Sequence, residues 1–186
     1  MERLSDDELM DRLAEGDRDA YAILLERYWA RLVVYAAEVV ESQDAAQDVA
    51  QDTFIQLWRY RERWVRVGTV GAYLYRITRN LALNAVRQER AAARRLKRSA
   101  ETGEGHPSPF TPEESLDHAL LRRQVEAAIK ALAPRRREVF ILSRYHGLSY
   151  AEIATAMGIS PQTVANQMSH ALSQLQELLS PRIPEC

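Results

Sequence analysis

The sequence predicts an all-α protein built as two small helical domains on a flexible linker, the second with a helix-turn-helix. Three observations predict it. Apolar residues recur at helical spacing through most of the 186 residues, and no stretch alternates with period two over useful length. The span SAETGEGHPSPFTPEE packs Gly, Ser, Thr and Pro between two such regions, with little apolar content, and reads as a linker. Near the C-terminus, two caps, a glycine and a proline are spaced as in two short helices meeting at a tight turn. The expected division is 1–98, a linker at 99–112, and 113–186.

Each element has its own signal. SDDELMDRLAEGD opens with a capping box, Ser5 with Glu8 three residues later, and Gly16 ends or bends the helix. DAYAILLERYWARLVVYAAEVV repeats Tyr21, Leu24, Leu25, Tyr28, Leu32, Tyr35 and Val39 along one stripe. A third helix is expected over Asp44–Arg63, with Val49, Phe54, Leu57 and Trp58 apolar, and a loop over Arg63–Gly71 follows it. AYLYRITRNLALNAVRQERAAARRLKR reads as a long helix ending in arginine and alanine. Beyond the linker, Leu116, Leu120, Val125, Ile129 and Leu132 mark an amphipathic helix. PRRREVFILSRYHG begins with proline at a helix N-terminus and stops at Gly147.

The next stretch carries the most specific motif. Ser149 caps a short helix, YAEIATAM, and Glu152 completes a capping box. Ala154 is small where two helices cross, Gly158 makes the turn, and Ile159 plugs the space beneath it. Ser160 caps the next helix and Pro161 takes its first position. Val164, Met168, Leu172, Leu175 and Leu179 are the expected buried stripe. Gln162, Thr163, Asn166, Gln167 and His170 then face outward, as side chains able to hydrogen-bond base edges in a major groove. The alternative is an all-α bundle with a polar exposed face, but caps and spacing together favour the helix-turn-helix. Arg135, Arg136 and Arg137 just upstream are suited to phosphates flanking the groove, though not necessarily all three; the plainer alternative is a solvated charge run.

Composition bounds the rest. At 46% hydrophobic and 27% charged, the chain is ordinary globular material. No apolar run reaches the roughly 18–20 residues that span a bilayer, and MERLSDDELMDRL lacks a signal-peptide core. The single cysteine, Cys186, excludes an internal disulfide framework and suggests a reducing compartment, so a cytoplasmic location is expected. The four histidines do not fall at zinc-ligand spacing, and no cofactor or metal is expected. The net charge of −1 hides strong segregation: residues 1–52 carry −9 and residues 53–98 carry +10. Asymmetry on that scale points to two different partner surfaces. In DAAQDVAQDTFIQLWRYRERW the sign changes within one predicted helix.

DAAQDVAQDTFIQLW followed by AYLYRITRNLALNAVRQ resembles the N-terminal domain of bacterial sigma factors. LAPRRREVFILSRYHGLSYAEIATAMGISPQTVANQMSHAL resembles their promoter-binding C-terminal domain. The order and separation of the two resemble a group IV, extracytoplasmic-function (ECF) sigma factor, over roughly residues 17–180. The resemblance implies a promoter-specificity subunit with no enzymatic activity. It implies docking on the polymerase β′ clamp helices by Asp44, Asp48, Gln51, Asp52, Phe54, Gln56, Leu57 and Trp58. Acidic residues at i, i+4 and i+8 share one face, which suits a basic coiled coil, whereas at least two of Phe54, Leu57 and Trp58 are expected in the core. It implies reading and opening of the −10 element by Arg63, Trp64, Arg66, Arg76, Arg79, Asn80, Asn84 and Arg87, where cations meet phosphates and aromatic or amide groups meet bases. Tyr73, Leu74 and Ile77 beside them are expected to include core positions. The residues facing the −35 element are those of the helix-turn-helix and Arg135–Arg137. The implied partners are core RNA polymerase, including its β subunit, promoter DNA and an anti-sigma factor. In one respect the chain departs from the family: TVANQMSHALSQLQELL has no Lys or Arg, which implies weak −35 binding outside holoenzyme.

Two other classes compete. A dimeric regulator using only the helix-turn-helix leaves the first ninety residues without a role. A metal-dependent hydrolase using Asp44, Asp48 and Asp52 has carboxylates on one face but no converging histidine or nucleophile.

Overall fold

The computed structural model describes residues 4–40, 42–65, 68–97 and 116–180, without the side chains of 95–97 and 116–120. The linker, Arg66 and the side chains of Leu116 and Leu120 lie outside the described residues. Within them every regular element is a helix: α1 (Asp6–Ala14), α2 (Arg18–Val40), α3 (Gln43–Arg59), a 3₁₀ turn at Arg61–Arg63, α4 (Val70–Lys97), α5 (Leu116–Ala131), α6 (Pro134–Arg144), α7 (Tyr150–Met157) and α8 (Pro161–Leu179).

Helices α2, α3 and α4 pack against one another in pairs, and α1 lies across α2. Their shared core holds Leu24, Leu32, Tyr35, Phe54, Leu57, Leu74 and Tyr75, all essentially inaccessible. Gly71 lets the ring of Tyr28 lie against the first turn of α4: a Cβ there would sit 3.2 Å from the Tyr28 hydroxyl oxygen. Between α3 and α4, the buried hydroxyls of Thr53 and Thr78 meet at 3.0 Å. Each also reaches a carbonyl one turn back, Val49 at 2.8 Å and Leu74 at 2.9 Å. Two protons serve these three contacts, so two of the three can be made at once.

Both capping boxes form. Ser5 and Glu8 satisfy each other's backbone N–H at the start of α1, and Ser149 and Glu152 do so at α7. Two boundaries differ from the sequence expectation. Helix α3 ends at Arg59 rather than Arg63, because the Arg61 guanidinium folds back onto the Trp58 carbonyl at 2.9 Å and lies 4.7 Å from the centre of that ring. Helix α4 starts at Val70 because Thr69 caps it, its hydroxyl accepting from the Ala72 N–H.

Helices α6, α7 and α8 form the second group, and α5 packs on α8. Gly158 ends α7 in the left-handed conformation at φ 66°, and Ser160 caps α8 with Pro161 at its start. The buried stripe of α8 is Val164, Met168, Ala171 and Leu175. Leu172 and Leu179 were expected on it but are 42% and 40% exposed. From Met168 the buried face continues through Ala171 to Leu175, steps of three and four, so Leu172 falls about 70° from the middle of that face, at its edge. Small Ala171 allows α5 to approach.

The two groups also touch. Helix α7 packs along α4, and the buried apolar cluster continues from α1–α4 into α6–α8.

Candidate nucleic-acid and protein interfaces

Helix α3 presents an acidic face. Asp44, Asp48, Gln51 and Asp52 are exposed and Gln56 is half-buried. Phe54 and Leu57 are core residues at 1% exposure each, as expected for two of that trio. Trp58 is half-buried, edge-on to Tyr21 at 5.3 Å. Beside the acidic face lies an open cleft of about 460 Å³ lined by Tyr21, Leu25, Trp29, Gln51, Phe54 and Ile55. Ile55 is 49% exposed at its edge. Sequence reasoning missed this cleft. Tyr21, Leu25 and Trp29 recur every four residues on α2, and that spacing looks the same whether the stripe is covered or open. Among the described residues no group of His, Cys, Asp or Glu could hold a metal ion.

Helix α4 carries the cationic face. Arg76, Asn80, Asn84 and Arg87 are exposed and stand on one side of the helix. Arg76 lies 5.5 Å from the centre of the Tyr73 ring, and Arg87 donates to the Asn84 side-chain oxygen at 3.0 Å. Tyr73 is half-buried, while Leu74 and Ile77 are buried as expected. Exposed Arg63 stacks on Tyr60 at 5.5 Å, and half-buried Trp64 packs edge-on to Tyr73 at 4.8 Å.

Arg79 stands apart from that face. Its guanidinium forks onto Glu138 of α6, Nε at 2.6 Å and Nη2 at 3.1 Å, and the two side chains are only 15% and 16% exposed. Burial lowers its pKa, but the hydrogen bond and charge of Glu138 outweigh this and hold it above its ordinary value. The same Glu138 oxygen accepts from the Tyr35 hydroxyl at 2.8 Å. Burial first, then the Glu138 charge, raises the Tyr35 pKa well above that of a free tyrosine. Nearby, His146 stacks edge-on to Tyr35 and Tyr75, its Nδ1 2.9 Å from the Tyr75 hydroxyl. Its carbonyl accepts from Arg31 at 2.6 Å. Burial, with the Arg31 charge, lowers the His146 pKa to about 4, so the ring is neutral near pH 7.

On α8, Gln162, Asn166 and His170 are exposed, and Gln162 donates to Asn166 at 3.1 Å. Thr163 and Gln167 are half-buried, and the Thr163 hydroxyl joins the Ser160 cap at 2.8 Å. Arg135 is exposed. Arg136 donates to Gln174 at 2.7 Å, and Arg137 closes the end of α5 by donating to the carbonyls of Lys130 and Leu132. These two arginines therefore have internal work that the charge run alone did not reveal.

Comparison with known proteins places this geometry. Residues 24–92 match the family described as Sigma-70 region 2, and residues 122–175 match Sigma-70, region 4. The chain is 30% identical over 170 residues to the RNA polymerase sigma factor CarQ of Myxococcus xanthus, covering 91% of this chain and 95% of that one. It is 30% identical over 190 residues to the RNA polymerase sigma-H factor of Pseudomonas aeruginosa, covering 97% and 96%. The ECF RNA polymerase sigma factor SigK of Mycolicibacterium vanbaalenii is 27% identical over 177 residues, covering 93% and 88%. Among solved structures, CnrH in complex with the cytosolic domain of CnrY is similar at a TM-score of 0.68 and 25% identity, covering 94% of this chain and 96% of that one. The sigma factor RpoE in complex with the anti-sigma factor NepR from Bartonella quintana is similar at 0.61 and 27% identity, covering 86% and 96%.

The chain belongs to the sigma-70 family of RNA polymerase sigma factors. It is of the extracytoplasmic-function type, with regions 2 and 4. Its relatives are transcription initiation factors rather than enzymes. Among the described residues, no helix is long and apolar enough to cross a membrane.

Proposed function

We propose that this chain is a promoter-specificity subunit that binds core RNA polymerase, recognises −35 and −10 elements and promotes opening of the −10 duplex. The division of labour follows the proposed domains, 1–98 for polymerase and −10 DNA and 113–186 for −35 DNA. The observation that carries the reading is the pairing of two opposite surfaces on adjacent helices: the acidic, cleft-bearing face of α3 and the Arg76–Asn80–Asn84–Arg87 face of α4.

Asp44, Asp48, Gln51 and Asp52 suit a basic coiled coil, and the cleft beside them suits an apolar side chain from the same partner. Arg76 and Arg87 neutralise phosphates, Asn80 and Asn84 offer amides to base edges, and Trp64 and Tyr73 offer stacking surfaces to unpaired bases. Gln162, Asn166 and His170 offer polar groups to the −35 major groove, with Arg135 at its flank. Regulation by an anti-sigma factor is part of the proposal, supported by a structural relative described with one. The expected place of action is the cytoplasm.

The test is run-off transcription with purified core polymerase and genomic promoter templates. The proposal expects specific transcripts that depend on this chain and co-elution of the chain with core. Neither appearing with any template would overturn it.

A further inference from the structure

We infer that the outer end of α4, residues 87–97, is a separate DNA contact that holds the phosphate backbone of the duplex just upstream of the −10 element. This rests on the reading that α4 faces −10 DNA. Helix α4 runs from Val70 to Lys97. Among its described side chains, Ala82 is the last buried one and Val86 the last half-buried one, and each of those from Arg87 to Arg94 is exposed. At 1.5 Å per residue, residues 87–97 carry the helix about 16 Å beyond the bundle. No hydrogen bond or ion pair joins Arg90 or Arg94 to another described residue. This end stays helical without packing because Ala, Arg, Gln, Glu, Leu and Lys are all strong helix formers. Cations near its end also suit the negative pole of the helix dipole.

The charge pattern fits one ligand. Residues 87–97 hold five cations and one carboxylate. At about 100° per residue, Arg76, Asn80, Arg87 and Arg94 fall within about 40° of one another, and Arg90 lies about 40° to the side of Arg94. Glu89 falls on the opposite side of the helix. The stripe therefore prolongs the proposed −10 face by two turns beyond Arg87. Ala91 is its short neighbour on that face, so the helix can lie close to a phosphate ridge while the arginines reach along it. Spaced cations with no amide between them suit phosphates, and such a contact is indifferent to base sequence.

Chain order sets the direction. Helix α4 ends where residues 98–115 begin, and those lead to the helices proposed for the −35 element. The outer end of α4 thus points along the intact duplex towards −35, away from the opened strands. Arg76 to Arg94 spans about 27 Å of helix axis, or about eight base pairs at 3.4 Å each.

The experiment uses the full chain bound to core polymerase and two fork templates with the −10 element already unpaired. One carries about ten base pairs of upstream duplex, enough for the eight-pair reach, and the other lacks them; neither includes a −35 element. R90A with R94A removes two phosphate contacts at exposed positions where alanine favours the helix. On the long fork the slope of log affinity against log salt should become shallower by about 1.8, and affinity should fall about thirtyfold at 0.15 M salt. R90K with R94K should restore most of both, and randomising the upstream pairs should change neither. On the short fork the parent and both variants should bind alike within about twofold. Parent-like slope and affinity of R90A with R94A on the long fork overturn the contact and leave a solvated charge run. Equal loss on both forks, or weaker binding to core polymerase alone, overturns it too, by assigning these arginines to the single strands or to the polymerase. The −10 reading fails on a different result. If the parent holoenzyme binds the short fork no better than one with a scrambled element, α4 does not read that element, and the upstream contact falls with it.

Discussion

Reversing two charges on α3, D48R together with D52R, is expected to weaken binding to core polymerase by about thirtyfold at physiological salt. Both carboxylates are exposed on one face of α3 and form no ion pair among the described residues. A unit charge facing an opposite charge at 4 Å gains about 1 kcal/mol in water, and reversal turns the gain into a similar repulsion. Exposed pairs usually deliver 0.2–1 kcal/mol, so about 1 kcal/mol per site is a fair figure. Two sites give about 2 kcal/mol, or roughly thirtyfold in Kd. The helix itself is not weakened. Asp44 occupies the first turn, where a carboxylate favours the N-terminus, but Asp48 and Asp52 lie beyond it. A cation placed four residues after Asp44 replaces a like-charge pair with an attractive one. The assay is titration of fluorescent chain with core polymerase at two salt concentrations, beside a melting curve. The loss shrinks to a few-fold near 1 M salt, where the screening length is about 3 Å. Unchanged affinity at 0.15 M salt in a normally folded variant refutes the docking role of this face.

R76A with N80A should leave core binding within about twofold and reduce opening of the −10 duplex, read by permanganate reactivity of unpaired thymines; equal loss at both steps would contradict the division between α3 and α4. G158A should cost about 1 kcal/mol, lowering the Tm by about 2–4 °C. A Cβ there meets nothing within 4 Å, so the cost comes from backbone conformation, and G158N should recover part of it. Because burial and Arg31 hold the His146 pKa near 4 against an ordinary 6.5, its contribution to stability is complete above pH 6.5 and is lost as pH falls from 6.5 towards 4. Denaturant midpoints at pH 7 and pH 5 should therefore differ more in the parent than in H146N; equal differences would show that the ring does not titrate across this window.

The helices, and the ends marked by caps, were legible because their causes are local. Ser5 with Glu8, Ser149 with Glu152, and Gly158 before Ser160 and Pro161 each act within a few residues. The charge reversal along α3 and α4 was legible for the same reason. Partners distant in the chain were not. Arg79 reads as one more arginine in a basic run, and only the fold brings Glu138, 59 residues away, against it. Arg137 likewise looks free until α5 ends beside it. Leu172 and Ala171 traded places because the sequence pattern favours the larger apolar residue, whereas the approach of α5 selects the smaller one. Tyr21 and Leu25 read as part of one apolar stripe, and periodicity shows that a stripe is apolar, not whether anything covers it.

The Thr53–Thr78 contact has a mechanical consequence. Sliding α3 along α4 by one residue would separate the two hydroxyls; each can still donate to the carbonyl one turn back on its own helix, so the cost falls on the buried side chains packed around them, Phe54, Leu57 and Leu74, which would lose their register. The two helices therefore resist shear and move as one body. A load applied to the outer face of α3 is transmitted to the outer face of α4 without slippage, so the two surfaces keep a fixed offset from each other whichever partner arrives first.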